Sequence, residues 1–398
     1  MRVEALTHHG LGRLPDGTLV PRVLPGETVE PRGDGTWRVV EPSPDRVAPP
    51  CPHFARCGAC AVQHLRDERV AEWRAGVVRA AFAAQGIAAE VGPVLTSPPR
   101  SRRRARLHGR RTKGGAALGF HARASEEIVD NPRCQVLLPA IMALRPRLLE
   151  LVRLAAPRGR EVGVTVAAAP AGADVLVEGG HALTPALRAE AAAWAAGAGV
   201  ARLSWDGEPL ATLEPPWQPM GRARPTPPPG AFLQATREGE AALVDLVCGA
   251  LGGAGRVLDL FAGVGTFALP LAGGAEVHAV EGDPALVAAL LAGWRAAPGL
   301  KRVTAEARDL FRRPLLGPDL RGFGAAVLDP PRQGAEAQVA ALAGAGPPRL
   351  AYVSCNPATL ARDARALGAA GYRMGPVTVV DQFRWSPHVE AFAAFERP

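Results

Sequence analysis

The chain is predicted to be an α/β protein with a doubly wound sheet at its C-terminus, an OB-like β-barrel at its N-terminus and a mixed central domain. From about residue 235, buried strand-like runs alternate with helical runs. Residues 1–48 instead alternate short β-like stretches with Gly and Pro turns. Residues 91–230 mix β-leaning and Pro-rich segments. We therefore expect three domains, at 1–48, 49–230 and 231–398.

The order of elements follows from periodicity. Residues 66–85 carry apolar side chains at three- and four-residue spacing, which predicts an amphipathic helix. The later strand-like runs are, in order, RVLDLF, EVHAVE, KRVTAEARDL, AAVLDPP and LAYVSCN. Helical runs separate them, so these strands are expected to be parallel. The last segment, GPVTVVDQFRWSPHVEAFAAFER, predicts two antiparallel strands at the edge of the sheet.

Charge and hydropathy limit the function classes. The formal net charge is +8, which favours a polyanionic partner. Nearly all basic residues are Arg and the chain is rich in Ala, Gly and Pro, a composition that also indicates genomic base bias, so the position of the charge is more informative than its sum. The N-terminus has no apolar signal core, and no run of about 18 apolar residues offers a membrane span. We expect a cytoplasmic protein with no membrane partner.

One basic stretch is concentrated enough to suggest a partner. Residues 100–113 hold eight Lys and Arg residues, and no acidic residue occurs from Val91 to Ser125. Interleaved apolar residues indicate a strand with one basic face, for which phosphate groups are the natural ligand. Arg103 and Arg104 are the predicted phosphate contacts. The alternative is a solvated run of charge without a partner.

A glycine turn indicates a nucleotide-like ligand. Gly263 and Gly265 follow a predicted buried strand and precede a helix, where glycine lets the backbone approach a ligand. Glu281 ends the next strand and suits two ribose hydroxyls, while Asp309 follows the third strand and could meet an adenine edge. The third glycine of the dinucleotide fingerprint is absent, which favours a sulfonium nucleoside over a pyrophosphate.

A second group of residues indicates a reaction centre. Cys355 ends a strand, and the Asn356–Pro357 pair after it is a favourable helix start. A helix terminus contributes about 0.3–1 kcal/mol, less than one pKa unit, so it cannot alone produce a thiolate. Asp329 ends the neighbouring strand, and Glu390 lies in the terminal hairpin as a candidate base. His388 is the alternative base, and Arg332 could hold a phosphate.

Six cysteines occur, and four have metal-ligand spacing. Cys51, Cys57 and Cys60 form a C-x5-C-x2-C pattern, with Cys134 farther along the chain. In a reducing compartment such a group binds metal more often than it forms disulfides. Both zinc and an iron–sulfur cluster accept four thiolates, so spacing leaves the metal open. Cys248 lies at helical spacing among apolar residues and is expected in a core.

The motifs DLFAGVGTFALPL, LDPPRQG, VSCNP and HVE resemble, in order and spacing, those of the RNA uracil-5-methyltransferases. The resemblance implies a Rossmann-like methyltransferase domain that uses S-adenosylmethionine. It implies Cys355 as nucleophile and Glu390 as base. The implied cofactor or substrate contacts are Gln234, Phe261, Glu281, Asp309 and Asp329. Thr266 stands where some members have Asn, so a contact from that side chain does not carry over.

The N-terminal region resembles a TRAM domain, and CPHFARCGAC with VDNPRC resembles the iron–sulfur segment of the 23S rRNA branch. That likeness favours a four-iron, four-sulfur cluster over zinc, with a structural role. We expect a monomeric enzyme that methylates carbon 5 of a flipped-out uridine, with 23S rRNA the favoured substrate. The alternatives are a tRNA uridine methyltransferase and a non-catalytic RNA-binding assembly factor.

Overall fold

The N-terminal region consists of short strands around a small core. The computed structural model describes residues 1–398. The strands are β1 (Ala5–Leu6), β2 (Leu11–Arg13), β3 (Leu19–Pro21), β4 (Thr28–Pro31) and β5 (Trp37–Glu41). β1, β2 and β3 form one antiparallel sheet and β4 and β5 another, and five buried residues, four of them Val, join the two. The hydrogen-bonded ladders do not form a single sheet, so a closed barrel over 1–48 stays a prediction.

A helix and a strand follow the cysteine segment. They are α1 (Asp67–Ala83) and β6 (Val91–Thr96). This helix confirms the prediction made from the apolar periodicity of residues 66–85. Its buried face consists of Val70, Arg74, Ala75, Val78 and Phe82, so one charged residue lies among the apolar ones.

The central region is a seven-stranded sheet covered by two helices. Its elements are β7 (Arg104–Thr112), β8 (Gly115–His121), β9 (Ile128–Asp130), α2 (Pro139–Ala155), β10 (Glu161–Ala169), β11 (Gly172–Glu178), α3 (Pro185–Ala198), β12 (Arg202–Trp205) and β13 (Glu208–Thr212). The strand order is β13-β12-β11-β10-β7-β8-β9. Thr184 caps the start of α3, where its side chain accepts the Leu187 N–H, and Gly199 follows the last turn in the left-handed conformation.

The C-terminal region contains the larger sheet. Its elements are α4 (Arg237–Leu251), β14 (Arg256–Leu260), α5 (Ala268–Leu271), β15 (Glu276–Glu281), α6 (Pro284–Arg295), β16 (Val303–Ala307), α7 (Gly317–Leu320), β17 (Ala325–Leu328), α8 (Glu336–Ala345), β18 (Arg349–Ser354), α9 (Pro357–Ala369), β19 (Arg373–Met374), β20 (Val377–Asp381) and β21 (Ala391–Glu396). The order is β16-β15-β14-β17-β18-β21-β20-β6, with β19 beside β21. β14 to β18 are parallel, as predicted, and β21 runs antiparallel to β18 and β20.

The terminal hairpin is antiparallel, but it does not lie at the sheet edge as predicted. β6 pairs in parallel with β20 and takes the edge position. α1 packs against α9. Residues 67–96, within the predicted central range 49–230, therefore complete the C-terminal sheet. Periodicity could not reveal this, because the pairing joins segments nearly 300 residues apart.

The strand order reverses between β14 and β17, since the chain first adds strands on one side of β14 and then on the other. In open α/β sheets, ligands bind outside the carboxyl ends of the strands at such a reversal.

None of the helices is both long and apolar enough to cross a membrane.

Candidate active site

Cys355 and Glu390 face each other across two paired strands. The antiparallel register of β18 and β21 places Ser354 opposite Ala391. Cys355 is the next residue after Ser354, and Glu390 immediately precedes Ala391. The two side chains therefore occupy the next register position, at the carboxyl end of β18. The structure brings the predicted nucleophile and the predicted base together.

The helix after Cys355 begins as the sequence predicts. The Asn356 side chain accepts the Ala358 N–H at 3.1 Å, and Pro357 takes the first helical position. Burial, together with the carboxylates of Glu390 and Asp329 and against the opposing charge of Arg332, nonetheless raises the pKa of the Cys355 thiol to about 11. Cys355 is thus a thiol at neutral pH, and the effect of the helix terminus is smaller than that of burial and the neighbouring carboxylates.

Four side chains form a hydrogen-bonded chain beneath the reaction centre. Gln382 donates to Glu390 Oε2 at 3.0 Å and to Gln234 Oε1 at 2.6 Å. Gln234 in turn donates to Asp329 Oδ2 at 3.2 Å. Burial raises the pKa of both Glu390 and Asp329, and the charge of Asp329 raises that of Glu390 further. The charge of one of these buried carboxyl groups therefore disfavours ionisation of the other.

The glycine turn after β14 leaves its backbone accessible. Gly263 has a φ of 55°, and a Cβ placed there would meet nothing within 4 Å. Its N–H donates to Glu281 Oε2 at 2.9 Å, so the carboxylate at the end of β15 reaches the turn. Gly265 has a φ of 95° and packs closely against Leu269. The open face of this turn is suited to close approach by a ligand.

Phe261 also departs from ordinary backbone geometry. Its φ is 66°, a left-handed value that is uncommon for a bulky residue and often marks a binding site. Its ring lies 5.3 Å from that of Phe311, centroid to centroid, and Phe311 is among the exposed large apolar residues. Asp309, two residues earlier, accepts the Phe311 N–H at 2.9 Å. An aromatic wall thus stands beside the predicted adenine contact, and sequence reasoning missed Phe311.

Asp259 is a second residue that sequence reasoning missed. It lies in β14, fully buried, and its carboxyl group has no side-chain hydrogen-bond partner; only the backbone N–H of Ala268 lies near enough to lower its pKa. Burial, together with the charges of Asp329 and Glu281, raises its pKa to about 8. Its position in DLFAG, inside an otherwise apolar strand, was the signal that could have identified it. Unpaired buried carboxyl groups in a cluster favour a cationic ligand.

The loop that leads to Glu390 is held by α1. The Arg74 guanidinium donates to the carbonyls of Phe383 at 3.0 Å and Ser386 at 2.9 Å, and also to that of His388. It is fully buried and forms an ion pair with Asp381. A single Arg therefore fixes three main-chain positions of the loop.

His388 is less suited than Glu390 to act as a base. Partial burial and the adjacent Arg332 lower its pKa to about 4. Arg332 lies 2.6 Å from Nδ1 of the ring, so a neutral imidazole accepts that hydrogen bond. Asn356 donates to the Arg332 carbonyl at 2.9 Å, which ties this loop to the start of α9. Arg332 is exposed and lies within reach of a phosphate at the rim of the site.

The four predicted metal ligands are buried in one region. Cys51, Cys57, Cys60 and Cys134 are each at most 8% exposed and belong to the free cysteines. Burial, together with the charges of the other three cysteines, raises the pKa of Cys60 to about 12, so the four thiols lie near one another. No three of their sulfur atoms all lie within 4.8 Å of one another. The four side chains are therefore not arranged as a compact group of metal ligands. The metal site stays a prediction.

The prediction for Arg103 as a phosphate contact was wrong. Arg103 is 1% exposed, forms a buried ion pair with Glu240 of α4, and donates to the Gln234 carbonyl at 3.1 Å. Arg104 is half-buried and donates to the Gly230 carbonyl at 2.8 Å. Alternation along β7 instead leaves Arg106 and Arg110 exposed. The sequence showed one basic strand but did not reveal that a carboxylate from α4 meets its inner face.

Comparisons of the sequence with known proteins identify RNA methyltransferases as relatives. A sequence profile for tRNA (uracil-5-)-methyltransferases matches residues 295–397. A protein of Brucella suis described as an uncharacterised RNA methyltransferase is 42% identical over 98% of this chain and 95% of its own length. The 23S rRNA (uracil(1939)-C(5))-methyltransferase RlmD of Chromohalobacter salexigens is 36% identical over 100% of this chain and 89% of its own length.

A solved structure has the same fold. The crystal structure of Pyrococcus abyssi tRNA (uracil-54, C5)-methyltransferase with S-adenosyl-L-homocysteine superposes with a TM-score of 0.77, at 23% identity, over 99% of this chain and 98% of that one. The fold is therefore that of an α/β methyltransferase with a mixed sheet, and the relatives place the protein among enzymes that act on RNA. The chain belongs to the RNA uracil-5-methyltransferase family.

Proposed function

We propose that this enzyme methylates carbon 5 of a uridine in 23S rRNA through a covalent bond between Cys355 and the base. The observation that carries the proposal is the register of β18 and β21, which sets Cys355 opposite Glu390 at the carboxyl end of the sheet. A thiol and a buried carboxyl group at that position are the two groups that the reaction requires.

The roles of the two residues follow from the chemistry of the ring. Uracil carbon 5 is a poor nucleophile. Once the Cys355 thiol has lost its proton to solvent, addition of the thiolate at carbon 6 converts the ring into an enolate that is nucleophilic at carbon 5. After carbon 5 has gained its methyl group, the Glu390 carboxylate removes the proton from that carbon. The double bond re-forms and the thiolate leaves with the electron pair of the carbon–sulfur bond.

The residues around the glycine turn fit S-adenosylmethionine, which supplies the methyl group when bound. Glu281 would accept ribose hydroxyls, and Phe261 with Phe311 would form an aromatic wall for adenine. The unpaired carboxyl group of Asp259 and the raised pKa of Asp329 both favour a ligand with positive charge. A sulfonium nucleoside with an ammonium group meets that requirement.

The N-terminal region and the cysteines are proposed to serve RNA binding and stability. We assign Cys51, Cys57, Cys60 and Cys134 to a four-iron, four-sulfur cluster, with zinc as the alternative. Their common burial supports a metal site, and the cluster would fasten the segment before α1 to the central sheet. The TRAM-like strands over 1–48, together with Arg106 and Arg110, are the proposed contacts to the RNA backbone.

The identity of 36% with a 23S rRNA enzyme over the full chain supports rRNA as the substrate. The tRNA alternative has its own support, since a tRNA profile matches residues 295–397 and the solved structure with the same fold is a tRNA enzyme. The test is methyl incorporation into unmodified 23S rRNA and into bulk tRNA, both from a deletion strain. Labelled 5-methyluridine in 23S rRNA alone is expected; label in tRNA alone would reject the rRNA assignment.

A further inference from the structure

Gln382 is a buried amide whose orientation is fixed by the main chain. Its side chain is 1% exposed, and its Oε1 accepts the Ala235 N–H at 2.7 Å. A backbone N–H can only donate, so it determines which end of the amide is the oxygen. The Nε2 group must then point the other way, with its two hydrogens directed into the site.

Both of those hydrogens have acceptors. One is directed at Glu390 Oε2, 3.0 Å away, and the other at Gln234 Oε1, 2.6 Å away. Because Gln234 uses its oxygen for this bond, its own Nε2 faces Asp329, at 3.2 Å. The orientation of every polar group from the Ala235 N–H to Asp329 is thus determined by the group before it.

We infer that Gln382 is a positioning residue that holds the Glu390 carboxylate toward carbon 5 of the uracil for the proton-removal step. The inference rests on the proposed function. When carbon 5 loses its proton to Glu390, the carbon–sulfur bond to Cys355 breaks and the ring double bond re-forms. Glu390 must be ionised and in one rotamer at that moment, and a fixed amide donor stabilises both conditions.

The chain offers a matched control for the alternative that Gln382 only supports the fold. Gln338 is equally buried, accepts the Leu315 N–H at 2.8 Å and donates to the Leu315 carbonyl at 3.2 Å. It is thus a buried glutamine with main-chain partners only. Gln382 differs in that its donor group faces two side chains of the site rather than the main chain.

The experiment follows a single turnover with wild type, Gln382→Met and Gln338→Met, using S-adenosylmethionine labelled in the methyl group and unmodified 23S rRNA. Rapid quenching separates the labelled protein–RNA adduct from free methylated RNA. In Gln382→Met the adduct is expected to break down about tenfold more slowly than in wild type, since general-base catalysis contributes roughly 100- to 10,000-fold in all. Adduct formation should change less, and Gln338→Met should match wild type in both steps.

A second variant keeps the inference testable if the Met substitution disturbs the fold. Gln382→Glu retains an oxygen for the Ala235 N–H but replaces the donor with an acid. The charged groups that face Glu390 are Asp329 and Arg332, with the titratable thiol of Cys355 beside them, and one more carboxylate there disfavours the ionised form of Glu390. The pH at which adduct breakdown is half-maximal is therefore expected to move upward. A side chain at position 382 that does not contact Glu390 would leave that midpoint unchanged.

The outcomes distinguish failure of the positioning role of Gln382 from failure of the proposed function. Breakdown within about twofold of wild type in Gln382→Met, or an unmoved pH midpoint in Gln382→Glu, would overturn the positioning role while the adduct itself still forms. If neither wild type nor Glu390→Gln forms any adduct, the proposed function fails and this inference fails with it.

Discussion

Arg74 in α1 and Asp381 in β20 form an ion pair buried from solvent, with 2.9 Å between Nε and Oδ2. The pair joins the segment after the cysteines to the strand that leads into the Glu390 loop. The carbonyl of Trp385 in that loop also accepts the N–H groups of Ala61 at 2.7 Å and Val62 at 3.1 Å. Residues 61–74 therefore contact and stabilise the active-site loop.

Arg74→Met should destabilise the protein by about 3–5 kcal/mol, because it leaves the Asp381 carboxylate buried without its partner. Three loop carbonyls lose their donor in the same variant. Urea unfolding measures the change. Arg69→Met on the same helix is the control, since Arg69 is exposed and its loss should change stability little. Equal stability of the two variants would contradict the role of Arg74.

Arg103→Glu should destabilise the fold rather than weaken RNA binding selectively. The new carboxylate would face Glu240 in a buried position, a change that costs at least about 3 kcal/mol. Arg106→Glu, three residues further along the chain and exposed, removes only a surface ion pair with Glu178 and should lower the unfolding midpoint far less. It should reduce RNA affinity and flatten its dependence on salt. Urea unfolding and RNA binding at several salt concentrations distinguish the two, and a stable Arg103→Glu protein would contradict the buried pair.

The Cys355 thiol should react slowly with iodoacetamide in the free enzyme. With a pKa of about 11, roughly one thiol in a thousand is ionised at pH 8, so the rate should still rise with pH above 9. Glu390→Gln removes a negative neighbour, lowers this pKa and should accelerate alkylation. Peptide mass spectrometry follows Cys355 and Cys248 in one sample, and Cys248 serves as the internal control. An unchanged Cys355 rate in the variant would contradict the coupling of the two residues.

Cys60→Ala should abolish metal binding, whereas Cys248→Ala should leave it intact. Elemental analysis of anaerobically purified protein measures the metal: about four iron atoms per chain are expected for the cluster, and about one zinc for the alternative. Wild-type protein without metal, or a Cys60→Ala protein with a full complement, would contradict the site.

The sequence predicted those parts of the site that depend on neighbours in the chain. The Asn356–Pro357 helix start and the glycine turn are local features, set by residues within a few positions of each other. The alternation of strands and helices likewise predicted β14 to β18, because parallel strands require that order. The terminal pair β20 and β21 was predicted as antiparallel, but its place inside the sheet was not.

The remaining features depend on long-range contacts that no local pattern reveals. Arg74 meets the loop near His388 more than 300 positions away, and Gln234 meets Gln382 across 148 positions. Arg103 was taken as exposed because its partner, Glu240, lies on a helix of another region. In each case a buried polar group is stabilised by a partner that only the tertiary fold supplies.

The most direct test of the account is the fate of Glu390→Gln incubated with unmodified 23S rRNA and S-adenosylmethionine. Intact-mass analysis after denaturation should show a protein–RNA adduct that carries one methyl group, and the double variant Cys355→Ala, Glu390→Gln should show none. An adduct that persists in the double variant, or Glu390→Gln turnover at the wild-type rate, would contradict the proposal that Cys355 attacks the base and Glu390 releases it.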